Sequence, residues 1–428
     1  MPSIHRREIV SWSMYDFANS AFSTLIVTWI FNRYFVEFVV GDPIQGTILW
    51  TRAVNISAII VALLMPFLGA IADHSGRKKR FLFLFTALAV ACTVLLFFSQ
   101  PGDVLFAAAV FVVANVAGEG AQVFYNGFLP ELSTRKTMGR ISGFAWGLGY
   151  FGGLLSLLLG LAIFRGVIPV PETDYLNIRA SALLVAAWFG FFSIPLFLWV
   201  RERAERRSAT AVEYAAIGFH RVRETLRELG TFREAAKLLL ARMIYNDGLV
   251  TVIAMAAIYV GAVYGMPFDQ VILMGIVLNV AAGLGAWALG FVDDRIGGKR
   301  TILITLVVLT FATVLGTLVD SLAAFWVAAV LIGLMMGPNQ SASRSLLSRF
   351  VPGDKQAEFF GFFAFSGKIS SVAGPFAYGT LLSLTGSHRI AMASIAVFFV
   401  AGFFVLLTVS EEEGIRAADA YEALAEAS

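Results

Sequence analysis

Charged residues are scarce in this chain of 428 residues. Asp, Glu, Lys and Arg make up 14% of it, whereas hydrophobic residues make up 58% and the mean hydropathy is +0.78. Soluble domains carry about 25% charged residues, so this chain has too few charges to cover a water-facing surface. We therefore expect a protein embedded in lipid. The net charge of +3 does not indicate a nucleic-acid partner, because the basic residues lie in short patches between apolar runs.

Cysteine and histidine are also rare. Cys92 is the only cysteine, so no disulfide can form within the chain. The four histidines are scattered along the sequence. A membrane enzyme would need a clustered nucleophile, base or metal site. The composition therefore predicts a protein that is not an enzyme and has no bound metal or other cofactor.

Long apolar runs, in contrast, are abundant. A helix that crosses a hydrocarbon core of ~30 Å needs about 20 mostly apolar residues. Windows of that length give twelve candidate spans: 11–38, 48–72, 80–99, 103–127, 140–165, 178–200, 238–264, 270–292, 300–319, 322–347, 358–384 and 388–409. We therefore predict an all-α membrane protein with twelve transmembrane helices.

Basic residues predict the orientation and the division of the chain. If the amino terminus is cytoplasmic, 26 of the 32 Lys and Arg fall on the cytoplasmic side, as positive-inside orientation requires. Both termini are then cytoplasmic. The segment 201–237 is too polar to span, and we expect a partly helical linker along the membrane surface, with a regulatory docking site as the alternative. The predicted domains are a six-helix bundle at 1–200, this linker, a second bundle at 238–410 and a cytoplasmic tail at 411–428 without an assigned role.

One loop motif occurs twice, which predicts two similar halves with a binding site near their interface. Its residues are Gly69, Asp73, Gly76, Arg77 and Lys78 in the first copy and Gly290, Asp294, Lys299 and Arg300 in the second. The glycines allow close approach of a neighbouring helix. The two aspartates can accept hydrogen bonds from the free N–H groups at the start of that helix, or pair with a basic residue. We predict a latch that is intact in one conformation and broken in the other. A role in orientation alone would explain the basic residues but not the repeated Gly and Asp spacing.

Polar residues inside the spans mark the predicted solute or proton path. A charged side chain at a helix centre costs ~2.5–3.5 kcal/mol on insertion scales, so it usually faces a cavity or a partner. The candidates are Asp16 and Asn19 in span 1, Asn115, Glu119, Gln122 and Asn126 in span 4, Asn246 and Asp247 in span 7, Gln340 and Arg344 in span 10, and Lys368 in span 11. The stretch Tyr245–Gly248 is the counterpart of Tyr15–Ser20, and we expect Asp16 and Asp247 to lie in the inner half of the membrane, in equivalent helices.

Several roles remain open for these residues. Asp16 and Asp247 either line the path or pair with basic residues and hold the bundle shut. Desolvation disfavours the charged form of a carboxylate, so Glu119 is suited to take up and release a proton. Lys368 is either the static partner of Glu119 or the binding group for an anionic part of the solute.

The repeated motif, the twelve spans and the charged linker resemble the major facilitator superfamily. The stretches from Tyr15 to Thr24, from Tyr245 to Gly248 and from Gln340 to Ser345 are similar to the vacuole-effluxer branch, which includes the autophagy-related amino-acid exporter and bacterial members. The resemblance implies two pseudo-symmetric six-helix bundles that rock around a central site lined by spans 1, 4, 7 and 10. It also implies efflux of amino acids. The compact chain favours a monomer in a bacterial inner (plasma) membrane.

We therefore predict a secondary active transporter of a small polar or zwitterionic solute, coupled to protons and surrounded by membrane lipid. Two alternatives remain. The 39 Phe residues could line a cavity for export of lipophilic compounds, although Phe is equally common on lipid-facing surfaces. A non-transporting sensor of the same fold would need a larger soluble domain than the linker supplies.

Overall fold

The computed structural model describes residues 5–205, 207, 210–227, 230–371 and 373–427. These residues form helices joined by short connections, without a β-strand among them. Ten of the helices are long and apolar enough to cross a membrane. Outside the described residues lie positions 206, 208, 209, 228 and 229 of the predicted linker, 372 of the eleventh span, and 428 of the tail.

The helices follow the predicted spans in order. The first half contains α1 (Arg6–Ala21), α2 (Phe31–Tyr34), α3 (Pro43–Ser75), α4 (Lys78–Leu96), α5 (Val104–Asn126), α6 (Leu129–Leu132), α7 (Met138–Phe164) and α8 (Leu176–Trp199). The linker contributes α9 (Ala211–Arg227). The second half contains α10 (Arg233–Tyr264), α11 (Phe268–Ile296), α12 (Gly298–Leu318), α13 (Leu322–Phe350), α14 (Gln356–Ile369), α15 (Ala373–Thr385), α16 (His388–Ala393) and α17 (Ala396–Leu407), and the tail forms α18 (Glu411–Ala427).

Three of the twelve predicted spans are not single continuous α-helices. The first extends through α1 and α2 but includes π-helical stretches at Phe22–Trp29 and Phe35–Val39. The eleventh is divided into α14 and α15, and the twelfth into α16 and α17. Ten predicted spans, including the twelfth as His388–Leu407, overlap helical segments that are long and apolar enough to cross a membrane. The all-α membrane class is therefore confirmed, with interrupted helices at three of the twelve positions.

The chain termini, the linker and the two motif loops lie on one side of the bundle, termed here the termini side. The start of α1 contacts the chain just after α8, where Glu8 accepts a hydrogen bond from the Arg201 N–H. The linker meets the end of α3, where the Arg207 N–H donates to the Ser75 carbonyl. The opposite side is termed the far side.

Glycines bring helices of the two halves together. A Cβ atom on Gly69 of α3 would overlap the carbonyl oxygen of Ala357 in α14, and one on Gly290 of α11 would lie 2.8 Å from the carbonyl oxygen of Gly139 in α7. Farther along α7, a Cβ on Gly143 would overlap the carbonyl oxygen of Ala286 in α11. Small residues allow such close backbone approach in membranes. The interface between the halves therefore rests on two similar helix pairs, α3 with α14 and α11 with α7.

The linker and the tail are folded against the bundle. Helix α9 packs on α3, where the Phe219 and Phe67 rings stack with centroids 6.3 Å apart. Helix α10 begins at Arg233, so the last residues of the predicted linker are already part of α10. The tail was predicted without a role, but α18 covers the second half, where a Cβ on Gly414 would lie 2.6 Å from the Phe350 ring.

Candidate functional site

A cavity opens on the far side between the two halves. Its outer part has a volume of about 760 Å³ and lies between α2 with its flanking π-helical stretches and the far ends of α3, α7 and α11. Its inner part, of about 300 Å³, reaches the middle of α1, α5 and α7. Ser23, Thr24, Gly153 and Asn279 line both parts, so the two parts form one continuous path toward the centre.

Polar side chains from the predicted path line the inner cavity. They are Asp16, Asn19, Asn115, Glu119 and Gln122, joined by Trp146, Tyr150 and Asn279, which the sequence analysis did not select. Asn19 donates to Gln122 at 3.0 Å, and Gln122 donates to Asp16 at 2.9 Å. Asn115 is turned away from this chain and donates to Ser57 at 2.6 Å. Glu119 and Gln122 therefore lie at the cavity wall, whereas Asn115 also serves helix packing.

Arg344 ties the second half to the first below the cavity. Its Nη1 lies 2.9 Å from Asp16 Oδ2 and 3.2 Å from Asn126 Oδ1. The same guanidinium donates to the side chain and the carbonyl of Ser142 at 2.9 and 2.8 Å. The Arg344 side chain is only 1% exposed. Because a buried charge requires a partner and full hydrogen bonding, this cluster closes the termini side of the cavity.

A second ion pair crosses between the halves at the cavity wall. Lys368 Nζ of α14 lies 2.6 Å from Glu119 Oε1 of α5. The two side chains are 25% and 38% exposed, so this pair is much more accessible than Asp16 with Arg344. Of the two roles considered for Lys368, the structure shows the pairing with Glu119. Its accessibility leaves room for a solute to compete with that pairing.

The second half places its polar residues around the break between α14 and α15. Gln340 donates to Asn246 Oδ1 at 2.9 Å, and Asn246 donates to Ser370 at 2.6 Å. Asp247 accepts hydrogen bonds from the Ala373 and Gly374 N–H groups at 3.0 and 2.8 Å. These are the first N–H groups of α15, which have no partner within that helix. Asp247 therefore caps the N-terminus of α15, the later part of the broken span.

The hydrogen bonds decide which residues of α1 and α10 correspond. Gln122 donates to Asp16 in the first half, and Gln340 donates to Asn246 in the second. Each of these acceptors follows a tyrosine directly, so Asp16 corresponds to Asn246. The comparison by depth along each helix could not resolve a difference of one residue, which changes the helix face by about 100°.

Arg242 was missed by the sequence analysis, which counted it with the basic linker residues. It lies inside α10, is 7% exposed, and donates to the Phe363 carbonyl and the Ser366 hydroxyl at 2.9 Å each. Its guanidinium carbon lies 3.5 Å from the Phe363 ring centroid. The available indication was its position four residues before Asn246, on the same face of the helix.

The first motif loop contacts the start of α14. Asp73 Oδ2 accepts a hydrogen bond from the Glu358 N–H at 2.9 Å. Lys78 is buried 4.0 Å from Asp73 and 2.7 Å from Glu131, a partner that the sequence analysis missed. Gly76 ends α3 with a φ of 59°, which places it in the left-handed region that favours glycine, and Arg77 precedes α4.

The second motif loop contacts the start of α7 in the same way. Asp294 Oδ1 accepts a hydrogen bond from the Gly139 N–H at 2.8 Å. The preceding Asp293, which the motif comparison did not select, pairs with the buried Arg349 at 2.7 Å. Lys299 reaches the Leu407 carbonyl at 2.9 Å, whereas Arg300 is exposed. Each loop therefore contacts a helix of the other half on the termini side.

The linker and tail helices add contacts across the halves on that side. Arg221 of α9 pairs with Asp354 of the second half at 2.9 Å. Arg135 of the first half pairs with Asp419 of α18. The Arg135 guanidinium lowers the pKa of the Asp419 carboxyl below its usual value through a hydrogen bond. Each appended helix is thus bound to the half that it does not follow.

Comparison with known proteins places the chain among transporters. The model of a family described as "Vacuole effluxer Atg22 like" matches residues 35–419. An uncharacterized MFS-type transporter of Bacillus subtilis, YxiO, is 30% identical over 409 residues, which cover 94% of each chain. Autophagy-related protein 22-1 of Aspergillus fumigatus is 22% identical, and the match covers 89% of this chain and 77% of that protein.

Solved structures show the same fold. The human organic anion transporter MFSD10 superposes with a TM-score of 0.71 at 14% identity, covering 94% of this chain and 99% of that chain. The proton:xylose symporter XylE, bound to 6-bromo-6-deoxy-D-glucose, superposes with a TM-score of 0.73 at 14% identity, covering 97% and 98%. At these identities the likeness concerns the fold.

Proposed function

This chain belongs to the Atg22-like vacuole effluxer family of the major facilitator superfamily, and on that premise we propose that it moves a small zwitterionic solute by alternating access. It is a membrane transporter of the MFS type. The solute, the coupling ion and the mechanism of turnover are the proposed parts. The observation that carries them is the accessible Glu119–Lys368 pair, which joins the halves at the end of the cavity.

A zwitterion can replace this ion pair without leaving a charge alone. Its ammonium group would take Glu119 and its carboxylate would take Lys368, so one ion pair becomes two. A monovalent solute would leave one of the two protein charges without a partner, which is costly at low dielectric. Binding would also remove a direct tie between the halves, because Glu119 and Lys368 belong to opposite halves.

The charge balance of the centre also favours a solute without net charge. Six charged residues surround the cavity and the break between α14 and α15. Three are carboxylates and three are cations: Asp16, Glu119 and Asp247 with Arg242, Arg344 and Lys368. Their formal charges cancel. A net-neutral solute enters such a cluster without adding an uncompensated charge to it.

The contrast between the open far side and the closed termini side supports alternating access. The far side is open, while Asp73 and Asp294 bind the first turns of α14 and α7 on the termini side. Opening the termini side would break both contacts and the Asp16–Arg344 pair. The two motif loops would then act as latches that are intact only in the far-side-open conformation.

Glu119 is the proposed proton carrier. Protonation of Glu119 would release Lys368 and weaken the tie between the halves, so proton uptake and solute binding act on the same pair. The structural neighbour XylE is a proton:xylose symporter, which supports proton coupling here.

The first experiment is thermal unfolding of the purified protein with amino acids, peptides, sugars and organic cations. A ligand that binds the folded state at 100 times its Kd stabilises it by about 2.7 kcal/mol, and we expect this shift with one class of amino acid. Transport in proteoliposomes should then be lost in Glu119→Gln. Accumulation by that variant with unchanged pH dependence would exclude Glu119 as the proton carrier.

The matched control reverses the pair. Glu119→Lys with Lys368→Glu keeps an ion pair between the halves, so stability should recover relative to either single variant. The solute would meet its two charged groups in reversed positions, so transport should stay low. Recovery of transport together with stability would assign the pair a purely structural role.

Export of lipophilic compounds is the second candidate. The outer cavity supports it, since many of its lining residues are apolar, including Trp29, Leu157, Phe164 and Ile276. Thermal stabilisation by lipophilic cations and none by amino acids would favour this function.

The setting is also proposed. We place the protein in a bacterial inner membrane as a monomer, with the termini side in the cytoplasm because the basic loops lie there. The division into bundles at 1–200 and 238–410 is retained. Labelling of a cysteine introduced at an exposed termini-side position in intact cells and in inverted vesicles would test the orientation.

A further inference from the structure

Two adjoining clefts lie where the linker helix meets the first motif loop. The larger has a volume of about 410 Å³ and the smaller about 370 Å³, within the range of about 300–1,000 Å³ common for ligand sites. Arg77, Arg80 and Phe83 line both clefts. Tyr214 of α9 forms a wall of the larger cleft, so the linker completes the site.

The charge around the clefts is positive. Arg77, Lys79 and Arg80 line them together with one carboxylate, Glu202. Glu202 accepts a hydrogen bond from the Lys79 N–H at 2.9 Å, and Lys79 Nζ donates to the Val200 carbonyl at 2.6 Å. Three cations and one carboxylate therefore line the clefts, which gives their lining a positive formal charge. Planar guanidinium groups suit bidentate binding of phosphate.

An apolar surface continues from these arginines along α4. Phe83 is 54% exposed and Leu84 62% exposed, and both line the larger cleft. Leu88 and Leu95 are also exposed farther along the same helix. In a membrane protein, such side chains face lipid acyl chains. The site thus combines cationic groups at one end of a spanning helix with an apolar surface that runs into the bilayer.

We propose that these clefts bind an anionic phospholipid, with its phosphate between Arg77 and Arg80 and an acyl chain along Phe83 and Leu84. The lipid would join α9 to the motif loop through Tyr214 and Arg77. This site is separate from the solute cavity, which opens on the far side. It does not depend on the identity of the transported solute.

The repeat supplies a matched control. Arg300 is the third residue of α12, as Arg80 is the third residue of α4, and it is exposed. Arg300 lines neither cleft, and the linker helix packs on α3 in the first half. General attraction to an anionic membrane would act on both arginines, whereas a built site requires only Arg80.

The experiment titrates the purified full-length protein in detergent with dioleoylphosphatidylglycerol and counts retained lipids by native mass spectrometry. We expect Arg80→Gln to weaken binding at least about five-fold, since one surface charge contributes about 1 kcal/mol. Arg300→Gln should bind as the parent protein does. Tyr214→Ala should weaken binding without a change in charge, and it serves as the test if Arg80→Gln does not fold.

Three outcomes would overturn the proposal. Equal weakening by Arg80→Gln and Arg300→Gln would indicate general electrostatic attraction. Equal retention of dioleoylphosphatidylcholine would exclude recognition of the anionic headgroup. Competition by inorganic phosphate at the same phosphate concentration would indicate a site for a soluble anion instead of a lipid.

Discussion

Each half is tied together on the termini side by the same carboxylate contacts. Glu202, just after α8, accepts a hydrogen bond from the Lys79 N–H, and Glu411, just after α17, accepts one from the Lys299 N–H. In the same way, Glu8 accepts from the Arg201 N–H and Glu234 from the Ser410 N–H. These contacts were not part of the predicted motif, but both of them occur once in each half, as the motif does.

The halves differ at the cavity. Gln122 binds the charged Asp16 in the first half, and Gln340 binds the neutral Asn246 in the second. Only the first therefore requires a cation, and Arg344 supplies it from the other half. The second half instead has a broken span whose α15 is capped by Asp247. The repeat thus builds the framework, while the asymmetric residues build the proposed site.

Removal of Arg344 should cause the largest effect and so tests this difference most directly. Arg344→Gln leaves the buried Asp16 without a cation, which typically costs about 3–5 kcal/mol. Gln340→Ala, which removes a hydrogen bond between neutral groups in the second half, should cost about 1 kcal/mol. Denaturant unfolding of both variants in detergent measures the two effects.

The double variant Asp16→Asn with Arg344→Gln is the control for this comparison. It replaces the first-half pair with neutral groups like those of the second half, so part of the lost stability should return. Similar losses in Arg344→Gln and Gln340→Ala would contradict the charge difference between the halves.

Alanine at the two motif glycines should have the next largest effect. A Cβ on Gly69 overlaps the Ala357 carbonyl oxygen, whereas one on Gly290 lies 2.8 Å from the Gly139 carbonyl oxygen. Overpacking typically costs about 1–3 kcal/mol, and Gly69→Ala should be the more severe. Both should favour opening of the termini side, because each glycine lies at a contact between the halves.

Maleimide labelling measures that opening. A Ser348→Cys reporter in a Cys92→Ser background would be buried on the termini side, since Ser348 is 3% exposed. We expect faster labelling in both glycine variants and no change with Gly261→Ala, whose Cβ would meet no atom within 4 Å. An unchanged labelling rate in Gly69→Ala would show that Gly69 does not contribute to the latch.

The two contacts of the appended helices should have the smallest effects. Both side chains of Arg135–Asp419 are about half exposed, and so is Asp354 in the other pair, whereas its partner Arg221 is 16% exposed. Ion pairs at the surface contribute about 0.2–1 kcal/mol. Because the pKa of Asp419 is lowered in the folded protein, its contribution is present above its unfolded pKa of about 3.9 and is lost as pH falls through the lower folded value. Asp419→Asn should remove this pH dependence in thermal unfolding. If acid lowers the melting temperature of Asp419→Asn as much as that of the parent protein, Asp419 is not the source of this pH dependence.

Much of the site could be predicted because polar residues are rare in apolar spans. Asp16, Glu119, Gln122 and Lys368 were selected on that basis, and the structure brings all four to the centre. Arg242 was not found because the local sequence around it resembles the basic linker. The correspondence of Asp16 with Asn246 could not be read from depth along the helices, because a shift of one residue leaves the depth nearly unchanged but changes the helix face.

The sequence by itself determined the helical membrane class, the repeat and the polar residues that lie within the apolar spans. Each of these depends on hydropathy or spacing along a few turns of chain. Only the tertiary structure decided which partners meet, as with Arg344 and Asp16, which are 328 positions apart. It also decided that the tail folds across the halves. Contacts of this kind depend on how two helical bundles face each other, and no local pattern along the chain encodes that orientation.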